Sequence, residues 1–223
     1  MLTLSGVDLM FFEDRKDAGA RLISLLEKYK GASDALVLGL PRGGVAVAFE
    51  VALALGLPLD VWVTRKVSAP FNPELAVGSV DSNGHLLLDE SALKLYEISD
   101  RYIREEAEIQ AGEIKRRYQV YRSTEKAPDI KGKTVLVVDD GVATGYTMMA
   151  ALESVRKNGA AKVVCVVPVS SPNVVSKLED LSDEVVCLST PSYFGAVGEF
   201  YRNFDQVSDE EVIDCLKKAE ARD

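Results

Sequence analysis

The sequence is poor in the residues that build metal centres and disulfide bridges. Its 223 residues include one histidine, His85, and three cysteines, Cys165, Cys187 and Cys215. The cysteines are scattered, and the first two lie in apolar, strand-like runs, so we expect reduced core residues. A metal centre held by cysteine is therefore not predicted.

Basic charge and long apolar runs are also scarce. With 26 basic and 35 acidic residues, the formal net charge is −9, which argues against a broad nucleic-acid-binding surface but leaves room for a local basic pocket. No membrane-spanning segment is recognisable, and Met1 to Phe12 lacks a basic leader and contains Asp8, unlike a signal peptide. We therefore expect a cytoplasmic protein with neither nucleic-acid nor membrane partners.

The order of apolar segments predicts an α/β fold with a doubly wound, mostly parallel sheet and helices on both faces. A hydrophobic content of 47% allows one substantial core, and we expect a single domain over residues 1–223. The predicted core strands are Ala35–Gly39, Leu59–Thr64, Val135–Val138, Lys162–Val169 and Glu184–Leu188. The predicted helices of this alternating part are Ala18–Tyr29, Val45–Leu55 and a helix from Thr147 onward.

Residues 69–131, approximately, interrupt this alternation. Asn83-Gly84 is a strong hairpin signal between two apolar runs, which predicts a β-hairpin of Leu75–Val80 with His85–Leu88. Apolar residues from Ile103 to Tyr118 then share one helical face, which predicts a helix that is exposed on its other side.

The C-terminal part, about residues 191–223, is predicted to end in a helix. Ser208-Asp-Glu-Glu211 has the form of a helix capping box. Aromatic residues such as Phe194 and Tyr201 precede it. They either dock the helix on the core or stack on a flat ligand.

One strand ends in two acids and a glycine-bounded turn, and this segment is the most informative in the chain. Asp139 and Asp140 directly follow Val135–Val138, which has the composition of a central parallel strand. Ligands bind outside the carboxyl ends of such strands, beside helix N-termini. The carboxylates can accept hydrogen bonds from vicinal hydroxyls, while the N–H and hydroxyl groups of 143–147 can surround a phosphate. The segment therefore predicts a sugar-phosphate site.

Other phosphate sites match this pattern less well. A P-loop needs Lys and Ser or Thr after its second glycine, but Gly145 is followed by Tyr146, and a dinucleotide fingerprint does not match either. Receiver domains of response regulators also place paired aspartates after an apolar strand, where they hold Mg²⁺. That pair opens its domain, whereas Asp139 and Asp140 lie past mid-chain, so a receiver domain is a distant alternative.

The segment Asp139–Thr147 resembles the motif with which type I phosphoribosyltransferases bind phosphoribosyl pyrophosphate (PRPP). In that motif a hydrophobic strand, two acids and a Thr-Gly-x-Thr turn follow one another. More widely, the chain resembles a group of phosphoribosyltransferases of unassigned substrate. The resemblance is best from Ala35 to Pro191, where it is carried by this motif, Pro41-Arg-Gly-Gly44 and Asn72–Gly78, and it extends to a weaker match at Phe204–Val212.

The resemblance implies a fold and a reaction. It implies a type I phosphoribosyltransferase fold in which the hairpin is a flexible flap, residues 69–131 hold the flap and a helical insertion, and residues 191–223 form a small hood. The implied reaction transfers ribose 5-phosphate from PRPP to a nucleobase-like nitrogen acceptor, as in purine salvage, with release of pyrophosphate. The implied cofactor is Mg²⁺, and a homodimer is expected.

The resemblance also assigns roles to single residues. Arg42, Gly43 and Gly44, with Arg65 and Lys66 at the end of the next strand, are expected to bind pyrophosphate. Mg²⁺ is expected to be carried mainly by substrate and water, with Asp139 and Asp140 as the chain's own candidate ligands. The expected catalytic residues are Asp139, Asp140, Arg42 and Lys66. The residues expected to hold ribose and 5-phosphate are Asp139, Asp140, Gly141, Ala143, Thr144, Gly145, Tyr146 and Thr147.

Ala143 departs from one branch of this family. Enzymes that use 6-oxopurines carry an acid in this loop that acts on the base, and alanine cannot take that role. A non-catalytic protein that binds PRPP and regulates a partner is therefore the alternative function. His85 lies in the predicted flap, where it either reaches the leaving group or is an ordinary exposed hairpin residue.

Overall fold

A computed structural model describes residues 11–221, apart from the side chains of Pro73 and Glu74. The prediction that Met1–Phe12 is not a signal peptide therefore concerns residues that mostly lie outside this description. None of the described helices is long and apolar enough to cross a membrane.

Eight strands and seven α-helices form within the described residues. The strands are β1 Ala35–Gly39, β2 Leu59–Val61, β3 Thr64–Ala69, β4 Asn72–Asp81, β5 Leu86–Leu88, β6 Thr134–Val138, β7 Lys162–Val169 and β8 Glu184–Ser189. The helices are α1 Arg15–Leu26, α2 Gly43–Leu55, α3 Glu90–Leu95, α4 Asp100–Arg122, α5 Tyr146–Lys157, α6 Pro172–Leu181 and α7 Asp209–Glu220.

The core is a five-stranded parallel sheet in the order β2-β1-β6-β7-β8. Because side chains alternate along a strand, β6 contributes Val135 and Val137 to the core on one face and Leu136 and Val138 to the core on the other. Helices α5 and α6 cover the first face, and α1 and α2 cover the second. The predicted doubly wound α/β fold is confirmed.

The first and last α-helices both begin at a side-chain cap, and the cap of α7 was predicted. The Asp14 carboxylate caps α1 by accepting a hydrogen bond from the Asp17 amide at 2.8 Å. At α7 the capping box is complete, since the Ser208 hydroxyl accepts from the Glu211 amide and the Glu211 carboxylate accepts from the Ser208 amide. The N-terminal carboxylates Asp209, Glu210 and Glu211 complement the helix dipole.

The three cysteines are free thiols. Cys165 is buried in β7, and burial raises the pKa of its thiol. Burial also raises the pKa of Cys187 to about 11. At neutral pH these two side chains are therefore protonated, as expected of reduced core residues.

The predicted strand Leu59–Thr64 is wrong in extent. Only Leu59–Val61 pairs with β1, and the chain then leaves the core sheet to begin β3 at Thr64. The change of direction is fixed by hydrogen bonds from the Trp62 amide to the Gly39 carbonyl at 3.2 Å and from the Val63 amide to the Tyr118 hydroxyl at 3.1 Å. The run predicted as one strand is therefore divided between β2 of the core sheet and the start of β3.

A second sheet has the antiparallel order β3-β4-β5. The predicted hairpin is confirmed, because Val80 pairs with Leu86 and Gly78 with Leu88. Strand β3, which the sequence did not predict, pairs with β4 along its other edge. The predicted helix Ile103–Tyr118 is confirmed as part of α4, which packs on β3 and β4.

The Ser82–Gly84 turn of the hairpin is held by the buried carboxylate of Asp81. Asp81 is 1% exposed and accepts hydrogen bonds from the Ser154 hydroxyl at 2.9 Å, the Asn158 amide group at 2.7 Å and the His85 backbone N–H at 3.0 Å. Asn158 follows the last residue of α5. The hairpin turn is thus attached to the C-terminal end of that helix.

This attachment places the Asn83-Gly84 turn far from the predicted phosphate turn. Helix α5 has 12 residues and is therefore about 18 Å long, with the phosphate turn at its N-terminus and Asn158 at the other end. The turn between β3 and β4, at Pro70 and Phe71, lies at the opposite end of β4, and Phe71 is 59% exposed. A flap movement at the β3–β4 turn would leave the Asp81 network intact, whereas one at Asn83-Gly84 would break it.

We predict that Asp81→Asn lowers the free energy of unfolding by about 2 kcal/mol at neutral pH, since buried donors lose a charged acceptor. Burial alone would raise the pKa of Asp81, but hydrogen bonds from Asn158, His85 and Ser154 lower it. The stabilisation is therefore present above about pH 4 and is lost as pH falls through the folded-state pKa.

Urea unfolding between pH 3 and pH 7 tests this prediction. The difference between the parent and Asp81→Asn should narrow towards acid, while exposed Asp180→Asn on α6 should change little at any pH. An equal difference at pH 3 and pH 7 would contradict the charged role of Asp81.

Candidate active site

The predicted site residues follow two neighbouring strands at the centre of the sheet. Strand β1 leads into Leu40–Arg42, and β6 leads into Asp139 and Asp140. The strand order reverses between β1 and β6, since β2 lies outside β1 while β7 and β8 continue beyond β6. Open parallel sheets form a ligand crevice at such a switch point. The Leu40 amide donates to the Val138 carbonyl at 2.9 Å, so both chain segments leave the sheet side by side.

The two glycines after Arg42 lie directly against the acidic pair. A Cβ atom at Gly44 would be 2.7 Å from the Val138 carbonyl oxygen and 2.8 Å from the Asp139 Oδ1. A Cβ atom at Gly43 would overlap the Asp140 Oδ2. Only glycine permits this approach, which brings the expected pyrophosphate turn and the expected ribose carboxylates together.

One detail of that turn differs from the sequence prediction. Gly43 and Gly44 form the first residues of α2, which was predicted to begin at Val45. Arg42 is the residue before the helix, and among the described side chains none caps it. Since the first N–H groups of a helix lack intrahelical partners, the backbone of this turn can donate to an anion. The Pro41–Arg42 peptide is cis.

The predicted phosphate turn forms the N-terminus of α5. Gly145 precedes the helix with a φ of +83°, a left-handed conformation that favours glycine. Thr144, Tyr146 and Thr147 are exposed, and no described side chain caps the helix. The turn therefore presents hydroxyls and backbone N–H groups to solvent, at a helix end that favours negative charge.

Gly141 ties this site to the C-terminal part of the chain. It is buried, and a Cβ atom there would be 2.5 Å from a Val197 methyl group and 3.1 Å from one of Val169. Val197 begins a short 3₁₀ helix, Val197–Phe200, in the predicted hood. The close contact at Gly141 fixes this segment against the end of β6.

The acidic pair is electrostatically strained. Burial and the neighbouring charge of Asp140 raise the pKa of Asp139 well above its usual value. Burial also raises the pKa of Asp140, but the adjacent Arg15 guanidinium opposes the rise. The Asp140 amide donates to Asp139 Oδ1 at 2.9 Å, which holds the first carboxylate in place. Two adjacent buried carboxylates are favourable only where hydrogen-bond donors or cations stabilise their charge.

Arg15 is a site residue that the sequence reasoning missed. Its Nε lies 2.7 Å from Asp140 Oδ2, and the two side chains are 12% and 14% exposed. Its Nη1 donates to the Asp205 carbonyl at 2.8 Å, and its guanidinium lies 4.0 Å from the centre of the Phe204 ring. At the first position of α1, 125 residues before Asp140, it carries no local motif that predicts the contact.

Arg42 is directed towards the start of α7. Its Nη1 lies 3.9 Å from Asp209 Oδ1, and its side chain is 35% exposed. The same Asp209 oxygen accepts a hydrogen bond from the Tyr121 hydroxyl at 2.7 Å. Burial and this carboxylate raise the pKa of Tyr121 to about 12. A long, partly exposed ion pair of this kind is weak and leaves Arg42 able to move to a bound anion.

Arg65 and Lys66 do not lie at the end of a core strand, as the sequence suggested, but within β3 of the second sheet. The Arg65 Nε donates to Gln110 Oε1 on α4 at 2.9 Å. Both residues line an open cleft of about 370 Å³ between β3 and α4. The continuation of the chain from β2 into β3 explains this displacement, and their assignment to pyrophosphate stays a prediction.

The remaining candidate site residues make contacts that stabilise the fold. Tyr201 is 6% exposed and donates its hydroxyl hydrogen to the Asp140 carbonyl at 2.5 Å. Phe194 packs on Phe200, with ring centres 4.9 Å apart. His85 lies 3.0 Å from Asp81 at the far end of α5. These contacts favour packing for the two aromatic residues and a hairpin role for His85.

Comparison with known proteins identifies the family. The sequence model described as "Phosphoribosyl transferase domain" matches residues 12–205, and this range contains the acidic pair, both turns and Arg15. The chain belongs to the phosphoribosyltransferase family. The predicted membership is thereby confirmed.

Individual relatives match nearly all of the chain or a part of it. The protein TT1426 of Thermus thermophilus is 46% identical, with a TM-score of 0.81, and the match covers 94% of this chain and 99% of TT1426. The Mycobacterium tuberculosis protein named "Putative phosphoribosyl transferase Rv0571c" is 42% identical over 211 residues, 95% of this chain and 47% of that protein. The chain thus spans about half the length of this curated relative. A ribose-phosphate pyrophosphokinase of Pyrococcus furiosus is 41% identical over 64 residues, 28% of this chain and 23% of the relative.

We predict that Gly43→Ala lowers the free energy of unfolding by about 1–3 kcal/mol, because its Cβ would overlap the Asp140 carboxylate. Gly112→Ala is the matched control. It lies in α4, where a Cβ would meet nothing within 4 Å, and it should be neutral or stabilising. Chemical unfolding of both variants measures the difference. Equal stability of the two would contradict the close approach of α2 to the acidic pair.

We predict that Asp139→Asn stabilises the protein by about 1 kcal/mol at pH 7. A raised pKa in the folded state means that ionised Asp139 opposes folding at every pH above its unfolded value of about 4. Asparagine removes this charge and keeps an oxygen to accept from the Asp140 amide. The gain should therefore shrink as pH falls towards 4.

Thermal melts of the parent and Asp139→Asn between pH 4 and pH 7 show whether the substitution raises or lowers the stability of the protein. Exposed Asp214→Asn on α7 provides the control. A variant that is less stable than the parent at pH 7 would show that Asp139 supports the fold rather than straining it.

Proposed function

We propose that this chain is a Mg²⁺-dependent phosphoribosyltransferase that moves ribose 5-phosphate from PRPP to a nitrogen acceptor, a nucleobase or a similar ring, and releases pyrophosphate. Three features of one crevice match the three parts of PRPP. They are a pair of carboxylates for hydroxyls, the exposed turn 143–147 for a phosphate, and the Arg42–Gly44 turn for pyrophosphate.

The close contact between α2 and the acidic pair is the observation that carries this proposal. Ribose joins the 5-phosphate to pyrophosphate, so a PRPP site must hold carboxylates between two anion-binding turns. The backbone at Gly43 and Gly44 brings the N-terminus of α2 against Asp139 and Asp140 at the end of β6, and the N-terminus of α5 follows on the other side. The two carboxylates therefore lie between two helix N-termini. An isolated phosphate site needs only one such turn.

The charges of the crevice suit the reaction. Cleavage of the bond between ribose C1 and pyrophosphate builds positive charge on the sugar and negative charge on the leaving group. The carboxylates of Asp139 and Asp140 stabilise the positive charge on the sugar by accepting hydrogen bonds from the ribose hydroxyls and by their own negative charge. The helix N-termini and the Arg42 guanidinium stabilise the negative charge on pyrophosphate. Catalysis then rests on positioning and electrostatics.

The donor set also fits Mg²⁺. Within residues 11–221 no group of three or more His, Cys, Asp or Glu side chains forms a metal cage. Mg²⁺ usually binds through one or two carboxylates together with substrate phosphates and water, and Asp139 and Asp140 supply such carboxylates at the crevice. When bound, the ion would neutralise charge on the departing pyrophosphate.

The alternative is a non-catalytic PRPP-binding regulator. Ala143 favours it, because the phosphate turn offers no carboxylate at this position to move a proton on the acceptor. Release of pyrophosphate from PRPP and Mg²⁺ with a panel of purine, pyrimidine and other nitrogen bases separates the two. Turnover with one base supports the enzyme. PRPP binding without turnover for every base supports the regulator.

We predict that the double variant Asp139→Asn, Asp140→Asn weakens PRPP binding by at least about 100-fold. Each charge-assisted hydrogen bond to a hydroxyl contributes about 1.5–3 kcal/mol, and two would be lost. Calorimetric titration with PRPP and Mg²⁺ measures the change, and Asp214→Asn on the exposed face of α7 serves as the control. Unchanged PRPP affinity in the double variant would show that these residues do not hold the ribose.

A further inference from the structure

Arg15 contacts the acidic pair from outside both motifs of the proposed site. Its Nε donates to one oxygen of Asp140 at 2.7 Å, and both side chains are largely shielded from water. Since a carboxylate accepts about four hydrogen bonds, this single contact fixes the orientation of Asp140 and leaves acceptor capacity for a ligand hydroxyl.

The same guanidinium contacts the C-terminal segment. Arg15 Nη1 donates to the Asp205 carbonyl at 2.8 Å, and the planar group lies 4.0 Å from the Phe204 ring centre. A guanidinium can make these contacts together because it is a rigid fork with a flat face. Phe204 is 37% exposed, so part of its ring remains open beside the site.

The backbone around Arg15 reinforces this link. Phe12 forms a parallel bridge with Tyr201, the Phe12 amide donates to the Phe200 carbonyl at 2.8 Å, and the Asn203 amide donates to the Glu13 carbonyl at 2.9 Å. The Tyr201 hydroxyl in turn donates to the Asp140 carbonyl. Asp140 is therefore held through its carboxylate and its backbone by the two chain segments that run together here.

The geometry points to Arg15 as a positioning residue for ribose binding: it orients Asp140 towards the ribose hydroxyls and fixes segment Phe204–Asp205 beside the same carboxylate. This inference rests on the proposed function, since it concerns the ribose part of the PRPP site. It predicts that removal of Arg15 weakens ligands that carry ribose and spares ligands that bind only through phosphate.

Calorimetry of Arg15→Met with PRPP, ribose 5-phosphate and pyrophosphate, each with Mg²⁺, tests this selectivity. PRPP and ribose 5-phosphate should bind about tenfold more weakly than to the parent, because one charge-assisted contact to Asp140 is lost, while pyrophosphate should bind as before. Arg21→Met is the matched control. Arg21 lies on the same helix, pairs with Asp17 and packs over the Phe12 ring.

A double variant shows whether Arg15 acts through Asp140. Arg15→Met combined with Asp140→Asn should bind PRPP no more weakly than Asp140→Asn alone. If Arg15 acts only through the Asp140 carboxylate, the loss caused by Arg15→Met is already part of the loss caused by Asp140→Asn. Arg15→Lys keeps the charge without the rigid fork. It should show a smaller loss with the same selectivity, and it provides the test at lower risk to folding.

Three results would overturn the inference. They are parent-like PRPP affinity in Arg15→Met and Arg15→Lys, an equal loss for pyrophosphate, and losses that add fully in the double variant. The second result would mean that Arg15 supports the whole crevice rather than the ribose contact. A parent protein that binds no PRPP would instead overturn the proposed function, and this inference with it.

Discussion

The close approach of the α2 backbone to the end of β6 is the constraint on which the site depends. Glycine at positions 43 and 44 lets a helix N-terminus lie against Asp139 and Asp140, where any side chain would meet a carboxylate or the strand backbone. A second helix N-terminus follows at Gly145. Two helix ends that favour negative charge thus flank two carboxylates, an arrangement suited to a ligand with hydroxyls between two anionic groups.

This arrangement costs stability that the surrounding contacts offset. Burial raises the pKa values of both aspartates, and the charge of Asp140 raises that of Asp139 further, so each ionised carboxylate opposes folding at neutral pH. Arg15 supplies the nearby cation, and the Tyr201 hydroxyl binds the Asp140 backbone. The apolar strands beneath, with Val135 to Val138 fully buried, hold the pair in place. A site that is strained in this way and supported by a rigid core is typical of ligand-binding centres.

Local patterns predicted those parts of the molecule that depend on neighbouring residues. The β6 strand, the two turns and the α7 capping box were readable because strand composition, glycine spacing and the Ser-x-x-Glu pattern act within a few residues. The division of Leu59–Thr64 between two sheets was not, since it depends on the Tyr118 hydroxyl of a distant helix. Arg15 was missed for the same reason, because 125 residues separate it from its partner.

The most direct test of the account is a crystal structure of the protein with PRPP and Mg²⁺. The account predicts that the ribose hydroxyls lie within about 3.2 Å of the Asp139 and Asp140 carboxylates. The 5-phosphate should lie on the N–H groups of residues 143–147, and pyrophosphate beside Arg42. PRPP bound in the cleft of Arg65 and Lys66, with no contact to Asp139 or Asp140, would contradict the account. So would PRPP bound in the crevice with pyrophosphate on residues 143–147 and the 5-phosphate beside Arg42.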